Sequence, residues 1–433
     1  MINNKEKINL ITLGCSKNTV DSERLLNQLR ANNLKLEEDP NNADTIIINT
    51  CGFIEAAKKE SIDTILNAVA LKNEGKIRKV IVAGCLSERY KDELMKEIPE
   101  VDAYFGTENY EAILKELGGE LKYNLLGERL LTTPSHTAYL KISEGCDHPC
   151  SFCAIPIMRG NHKSKPIEEL LNEAEFLTKN GAKEIVIIAQ DTTDYGKDIY
   201  GQRSLTSLLR KLTSIEGIEW VRLMYAYPSH FPVDVIEEMA ANPKICKYID
   251  LPLQHISDNV LKSMRRGVTS KVTKELLAKL RERIPDITIR TTFIVGYPNE
   301  TEKDFEELCE FVKDIKFDRI GVFPFSVEEN TSSFILGDQV PDKEKQRRKD
   351  KLMEIQKEIS LEKNKSFVGK KLKVLIEGME GEYYVGRTYR DAPEVDGEIL
   401  IPLNGKKIKL GKFYSIEVFN YNEYDLFGKF TEK

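Results

Sequence analysis

The sequence has no run approaching the ~20 apolar residues that a membrane span requires, so no segment reads as transmembrane. It has no surplus of positive charge either. Lys and Arg number 64 against 70 Asp and Glu, a net charge of −6, which excludes a general attraction to nucleic acid or to an acidic membrane surface. The opening stretch, MINNKEKINLITLG, carries a short apolar run and no small-residue cleavage site, so it does not read as a secretory signal. A cytoplasmic setting is expected, where disulfides are rare. No conspicuous His/carboxylate pair suggests acid–base catalysis.

Cysteine is what stands out: eight in 433 residues. In a reducing compartment these are buried hydrophobes, catalytic thiols or metal ligands. The stretch GCDHPCSFC holds Cys146, Cys150 and Cys153 in a C-x3-C-x2-C spacing. A loop this tight exposes most of its side chains, so core packing does not explain it. Structural zinc would need a fourth ligand, for which His148 and His162 are the nearby candidates. Thiolates suit iron–sulfur clusters as well. A four-iron cluster on three thiolates leaves one iron open to an outside ligand, which accounts for a trio without a fourth member.

The chain is too long for one core, and its texture changes twice. In the first third, apolar β-branched runs (INLITL, TIIIN, KVIVA) each end in a small loop with a cysteine and lead into helical patterns over 20–32, 55–72 and 87–97. This rhythm predicts a doubly wound parallel sheet, residues 1–132, with Cys15, Cys51 and Cys85 at strand carboxyl ends, the edge where such sheets bind ligands. A second series (AYLKI, EIVIIA, WVRLMY, KYIDL, TIRTTF, RIGVFP) predicts an open or partial (β/α) barrel over 133–365. The charged stretch 341–365 reads as a long helix with a solvated face rather than one that links or buttresses domains. From 366 to 433, KLKVLIE, EYYVGRTY, GEILIPL and FYSIEVFNY predict a small all-β barrel of roughly five strands. The fold class is therefore α/β with a carboxy-terminal β-barrel.

Weaker candidates sit at the mouth of the central barrel. Phe152 would lie beside a cluster on the trio. Gln190 and Asp191 end one strand, and Gln254 and His255 end a later one. Arg290 is a charge inside an apolar strand and should meet a carboxylate of a cofactor or another acid. Gly296 permits close backbone approach to a ligand. Cys246 and Cys309 lack partners and read as packing residues.

The trio spacing, with Phe152 before its last cysteine, resembles the radical S-adenosylmethionine superfamily. LGCSKNTVDSE, NTCGFI, AGCLSERY, QDTTDYG, YPSHF, DLPLQHISDNVLKSMRRG and RTTFIVGYPNETEKDF together resemble the methylthiotransferases of that superfamily, nearly end to end. The carboxy-terminal barrel is similar to their TRAM domain. The resemblance implies two [4Fe–4S] clusters, one on Cys146, Cys150 and Cys153 and one on Cys15, Cys51 and Cys85. It implies S-adenosylmethionine as cofactor, with Phe152, Gln190, Gln254, Arg290 and Gly296 as contacts. Asn299 stands where the family usually has glycine, and asparagine tolerates the positive φ such a turn needs.

Two branches of the family act on different substrates, an adenosine of transfer RNA and the β-carbon of an aspartate in small-subunit ribosomal protein twelve. CSKNTVDSE, QDTTDYG and YPSHF resemble the second. Residues 366–433 carry nine Lys and two Arg against eleven Asp and Glu, a balance unlike the basic surfaces that neutralise phosphates. The expected partners are a ribosomal protein substrate and an external electron donor, with no membrane and no stable nucleic-acid binding. Glu377, Glu380, Glu382, Glu394, Asp396 and Glu398 are the acids expected to face the basic substrate. A non-catalytic iron–sulfur carrier is the reading of another class.

Overall fold

The computed structural model describes residues 6–403, 405 and 408–431. Its first sheet contains five parallel strands in the spatial order Lys35–Leu36, Lys7–Thr12, Thr45–Thr50, Lys79–Gly84, Ala103–Tyr104. The middle strand, TIIINT, is buried along its whole length, as expected where helices cover both faces of a parallel sheet. The chain first winds to one side of Lys7–Thr12 and then to the other. The switch point lies between Lys7–Thr12 and Thr45–Thr50, where doubly wound sheets hold ligands. Two helices begin earlier than periodicity suggests, at Ser16 and at Cys85. Cys15 thus caps a helix and Cys85 opens one.

The second sheet has six parallel strands, in the order Thr137–Lys141, Glu184–Ile188, Trp220–Leu223, Ile245–Asp250, Thr288–Val295, Arg319–Pro324. Its two outer strands do not pair, so the barrel stays open. Each expected strand is present. Its outer face and the surrounding helices share one large core that includes Ile185, Val221, Ile249 and Ile289, all fully buried. Cys246 and Cys309 are buried packing residues.

The carboxy-terminal barrel is closed and has five strands, Lys371–Glu380, Tyr383–Arg387, Ile399–Pro402, Leu426–Phe430 and Lys412–Tyr421 around the ring. The strand Leu426–Phe430 adds to the four runs read from sequence. The long helix, Asp342–Lys365, corrects the expectation of a solvated face. Arg348, Leu352, Gln356, Ile359 and Asn364 are buried along one side. Gln356 donates to the Phe317 carbonyl at 3.1 Å, and Asn364 to that of Asn422 at 3.1 Å, so the helix braces the open barrel against the small one.

Buried ion pairs join the three units. Across the first seam Glu173 meets Arg24 at 2.9 Å and Arg129 at 3.2 Å, and Arg89 meets Glu328 at 2.8 Å. At the second seam Glu184 accepts from Arg222 and from Arg387, each at 2.6 Å. Trp220 there lies edge-on to Phe413 of the small barrel, with centroids 4.6 Å apart. Two acids expected on the outer rim are corrected here. Glu377 pairs with Arg387 at 2.7 Å, and Asp396 is buried against Tyr248 and Arg290. Glu380, Glu382, Glu394 and Glu398 are exposed. Among the described residues no helix is long and apolar enough to cross a membrane.

Candidate active site

Three neighbouring strands of the first sheet deliver its cysteines to one edge. Cys15 follows Lys7–Thr12, Cys51 directly follows Thr45–Thr50, and Cys85 directly follows Lys79–Gly84. Gly14, at φ 93°, makes the crowding possible, since a Cβ there would sit 2.7 Å from Cys51 Cβ. The second trio lies on the loop after Thr137–Lys141. A two-residue ladder pairing Ser143–Glu144 with Lys163–Ser164, not foreseen from sequence, closes the base of that loop. Ser151 pins its centre, donating its N–H to the Met264 carbonyl at 3.0 Å and its hydroxyl to that of Ser263 at 3.0 Å.

Both trios face the same space. One cavity of about 350 Å³ is lined by Cys15, Cys51, Cys85, Cys146, Cys150 and Cys153 together, a size within the range of small-molecule sites. A larger groove of about 790 Å³ lies between the helices outside the barrel and contains no cysteine, so chemistry favours the smaller space.

The trios do not suit zinc. A tetrahedral zinc with bonds of about 2.3 Å holds its thiolates about 3.8 Å apart. Among the described residues, the ligand groups gathered within 4.8 Å are His148/Asp191/Asp194 and Asp21/Glu108/Glu144. Neither contains a cysteine, so the thiols of neither trio are gathered as closely as a single tetrahedral ion requires. His148 instead meets Asp191 at 2.7 Å and stacks on Tyr227, and His162 meets Ser164 at 3.0 Å.

Burial pushes the Cys85, Cys146 and Cys153 thiols up to about 12. They are neutral at ordinary pH, so any metal bound by them must displace their protons. Arg266 is the cation best placed against the second trio. It donates to Cys150 Sγ at 3.3 Å and to the Pro252 carbonyl, and its guanidinium lies 4.1 Å from the Tyr227 ring centroid. Arg159 lines the same cavity and is held by Asp21 at 3.2 Å and Glu144 at 2.9 Å.

Of the cofactor contacts expected from sequence, Phe152, Gln190 and Gln254 line the cavity. Gln190 donates to Glu144 at 2.6 Å, leaving its Oε1 buried without a donor. Gln254 Oε1 is also buried without one, on a residue at φ 74°. Two orphaned acceptors beside the trios fit a ligand rich in N–H and O–H donors, such as S-adenosylmethionine.

Two contacts are corrected. Arg290 points away from the cavity, meeting Asp250 at 2.8 Å and Asp396 at 3.5 Å; its acid is structural. Gly296, at φ 72°, is crowded by the Lys345 side chain and gives its N–H to Glu300 at 2.6 Å, so the close approach it permits is to a helix. Asn299 does hold the positive φ, 72°. Sequence reading passed over Lys17, Arg159, Tyr227 and Arg266: the first two lie on helices, where isolated charges read as solvated, and the last two lie in loops that gain meaning only once the cavity is known.

Residues 140–312 match the radical SAM superfamily, residues 7–106 match Uncharacterized protein family UPF0004, and residues 368–430 match the TRAM domain. Relatives named ribosomal protein uS12 methylthiotransferase RimO include one from Cytophaga hutchinsonii, 51% identical over 432 residues and 99% of each chain. Another, from Flavobacterium johnsoniae, is 54% identical over 428 residues and 98% of each. Among solved structures, the radical S-adenosylmethionine methyltransferase TsrM from Kitasatospora setae superposes with a TM-score of 0.55, covering 76% of this chain and 77% of its own. At 13% identity that likeness is one of fold.

Proposed function

The chain belongs to the family of ribosomal protein uS12 methylthiotransferases called RimO, and on that premise we propose that it adds a methylthio group to the β-carbon of an aspartate in uS12. The observation that supports this is the shared cavity. Two thiol trios facing one space let radical generation and sulfur delivery reach the same substrate carbon.

Two [4Fe–4S] clusters and S-adenosylmethionine supply the hydrogen-abstracting radical and the methylated sulfur. In our reading Cys146, Cys150 and Cys153 hold the cluster that takes S-adenosylmethionine, and Cys15, Cys51 and Cys85 hold the other. Arg266 steadies Cys150 by a charged hydrogen bond, the stronger kind. Gln190 and Gln254 offer the cofactor two acceptors, and Phe152 walls one side. Phe152, Ile155 and Met158 give the cavity an apolar wall, which limits water around a reactive carbon centre.

Reductive cleavage consumes an electron, so an external donor completes the system. The work is placed in the cytoplasm, where thiols stay reduced. The charge balance of residues 366–433 favours a basic protein over an RNA as substrate. The test offers anaerobically reconstituted enzyme both uS12 and unmodified transfer RNA and weighs the products. A methylthio group on the aspartate is expected. One on adenosine alone, or no cleavage of S-adenosylmethionine, overturns the proposal.

A further inference from the structure

We infer that Lys17 and the N-terminus of the helix Ser16–Ala31 form a carboxylate site that receives the side chain of the target aspartate. The inference rests on the proposed function and adds the contact that selects the substrate. Lys17 is only 7% exposed, yet it lines the cavity beside Cys15. A buried ammonium without an anion is costly. Among the described residues its Nζ has no carboxylate partner; it rests 2.9 Å from the centroid of the Tyr225 ring. Tyr225 is itself held at φ 58°, a conformation side chains rarely adopt. The other two cations of the cavity are engaged, Arg159 by Asp21 and Glu144, and Arg266 by Cys150 and a carbonyl.

The helix end adds a second, independent attraction. Its N-cap, Cys15, makes no side-chain capping bond, and its first turn carries no acid. Such an end presents free N–H groups and partial positive charge, the usual setting for an anion. Gly14, Cys15, Lys17 and Asn18 all line the cavity, so this end opens into it.

A carboxylate could come from the substrate aspartate or from S-adenosylmethionine. Position favours the substrate. Lys17 stands two residues from Cys15, and its neighbour Asn18 touches Cys85 Sγ at 3.9 Å. The site therefore belongs to the amino-terminal trio, whereas S-adenosylmethionine is assigned to the other. In aspartate the carboxylate is bonded directly to the β-carbon. Anchoring it fixes the reacting carbon to within one bond, and an adenosine base, being uncharged, gains nothing from the site.

The test measures binding of two proteins to reconstituted holoenzyme by fluorescence anisotropy, uS12 and uS12 with the target Asp→Asn. Wild type should bind the aspartate form about ten- to a hundred-fold more tightly. Lys17→Met should bind both forms equally, and Lys17→Arg should keep part of the preference. Affinity for S-adenosylmethionine, read by equilibrium dialysis, should match wild type in both variants. A Lys17→Met enzyme that keeps the preference, or that loses S-adenosylmethionine affinity instead, overturns the inference. If Lys17→Met does not load iron, the wild-type comparison still decides, since equal binding of the two forms refutes a carboxylate site. Wild type that leaves uS12 unmodified refutes the proposed function; wild type that modifies uS12 without the preference refutes only the carboxylate site.

Discussion

Replacing Glu184 by Gln should loosen the small barrel from the open one. The carboxylate is fully buried and accepts from Arg222 and Arg387, each at 2.6 Å. Without its charge, Arg222 keeps the carbonyls of Thr388 and Tyr389, at 3.3 and 2.8 Å, and the Tyr248 ring, 4.8 Å away. Arg387 retains Glu377 at 2.7 Å. Breaking a buried pair costs about 3–5 kcal/mol, and the surviving Glu377 contact points to the lower end. With a urea slope of ~2 kcal/mol/M, a loss of ~3 kcal/mol moves the midpoint down by about 1.5 M. The reporter is built in. Trp220 is the only tryptophan, lies 4% exposed, and touches Phe413 across the seam, so its emission should shift red when the small barrel undocks. Acid supplies a second check. Burial pushes the Glu184 carboxyl up, but Arg387 and Arg222 outweigh it and hold the group below its ordinary 4.5. A depressed folded value means the stabilisation is complete above pH 4.5 and is lost as pH falls through that lower value. The gap between wild type and variant should stay constant from pH 7 to 5 and shrink only in stronger acid. A midpoint shift under about 0.3 M at pH 7, where ~3 kcal/mol is expected, would refute this account of the seam.

Changing Cys146, Cys150 and Cys153 together to Ala should lower bound iron from about eight to about four per chain, by the four-iron count of each cluster. It should also abolish 5′-deoxyadenosine, measured by anaerobic iron assay and chromatography. The corresponding change at Cys15, Cys51 and Cys85 should remove a similar share of iron and stop sulfur insertion, while 5′-deoxyadenosine still forms; a product still bearing sulfur would remove that trio from the mechanism. Reversing exposed Glu380, Glu382, Glu394 and Glu398 to Lys should slow association with uS12 about tenfold at low salt, and the difference should vanish at high salt. Stopped-flow mixing decides between that and a salt-independent effect.

The cysteines were legible because their signal is local. Cys146, Cys150 and Cys153 lie on one loop, and Cys15, Cys51 and Cys85 recur at the same point of successive βα units. The strands of both parallel sheets were legible for a related reason, since burial on both faces leaves runs that are apolar throughout. What distance hides was not legible. Arg290 meets Asp396 from the far barrel, and no spacing within TIRTTF points there. Gly296 is small because Lys345, on the bracing helix, passes over it. The buried side of Asp342–Lys365 was masked by its charges, since Arg348 is buried with Glu300 at 2.9 Å as its partner. Lys17 and Arg266 gain meaning only from a cavity assembled by elements from two sheets.

The ion pairs across the first seam make the amino-terminal sheet and the open barrel a single heritable unit. Suppose recombination exchanged the amino-terminal segment for one from a distant homologue. Glu173 and Glu328 would stay behind in the barrel, while Arg24, Arg129, Arg89 and Lys58 would leave with the exchanged piece, and among the described residues only Lys165, 3.8 Å from Glu173, would remain. Breaking a buried pair costs about 3–5 kcal/mol; incurred in full at Glu328 and in part at Glu173, it approaches the lower end of the 5–15 kcal/mol that holds an ordinary domain folded. Chimeras at this junction should therefore survive only when the donor brings its own matching cations, so the two cysteine trios are passed on as a pair.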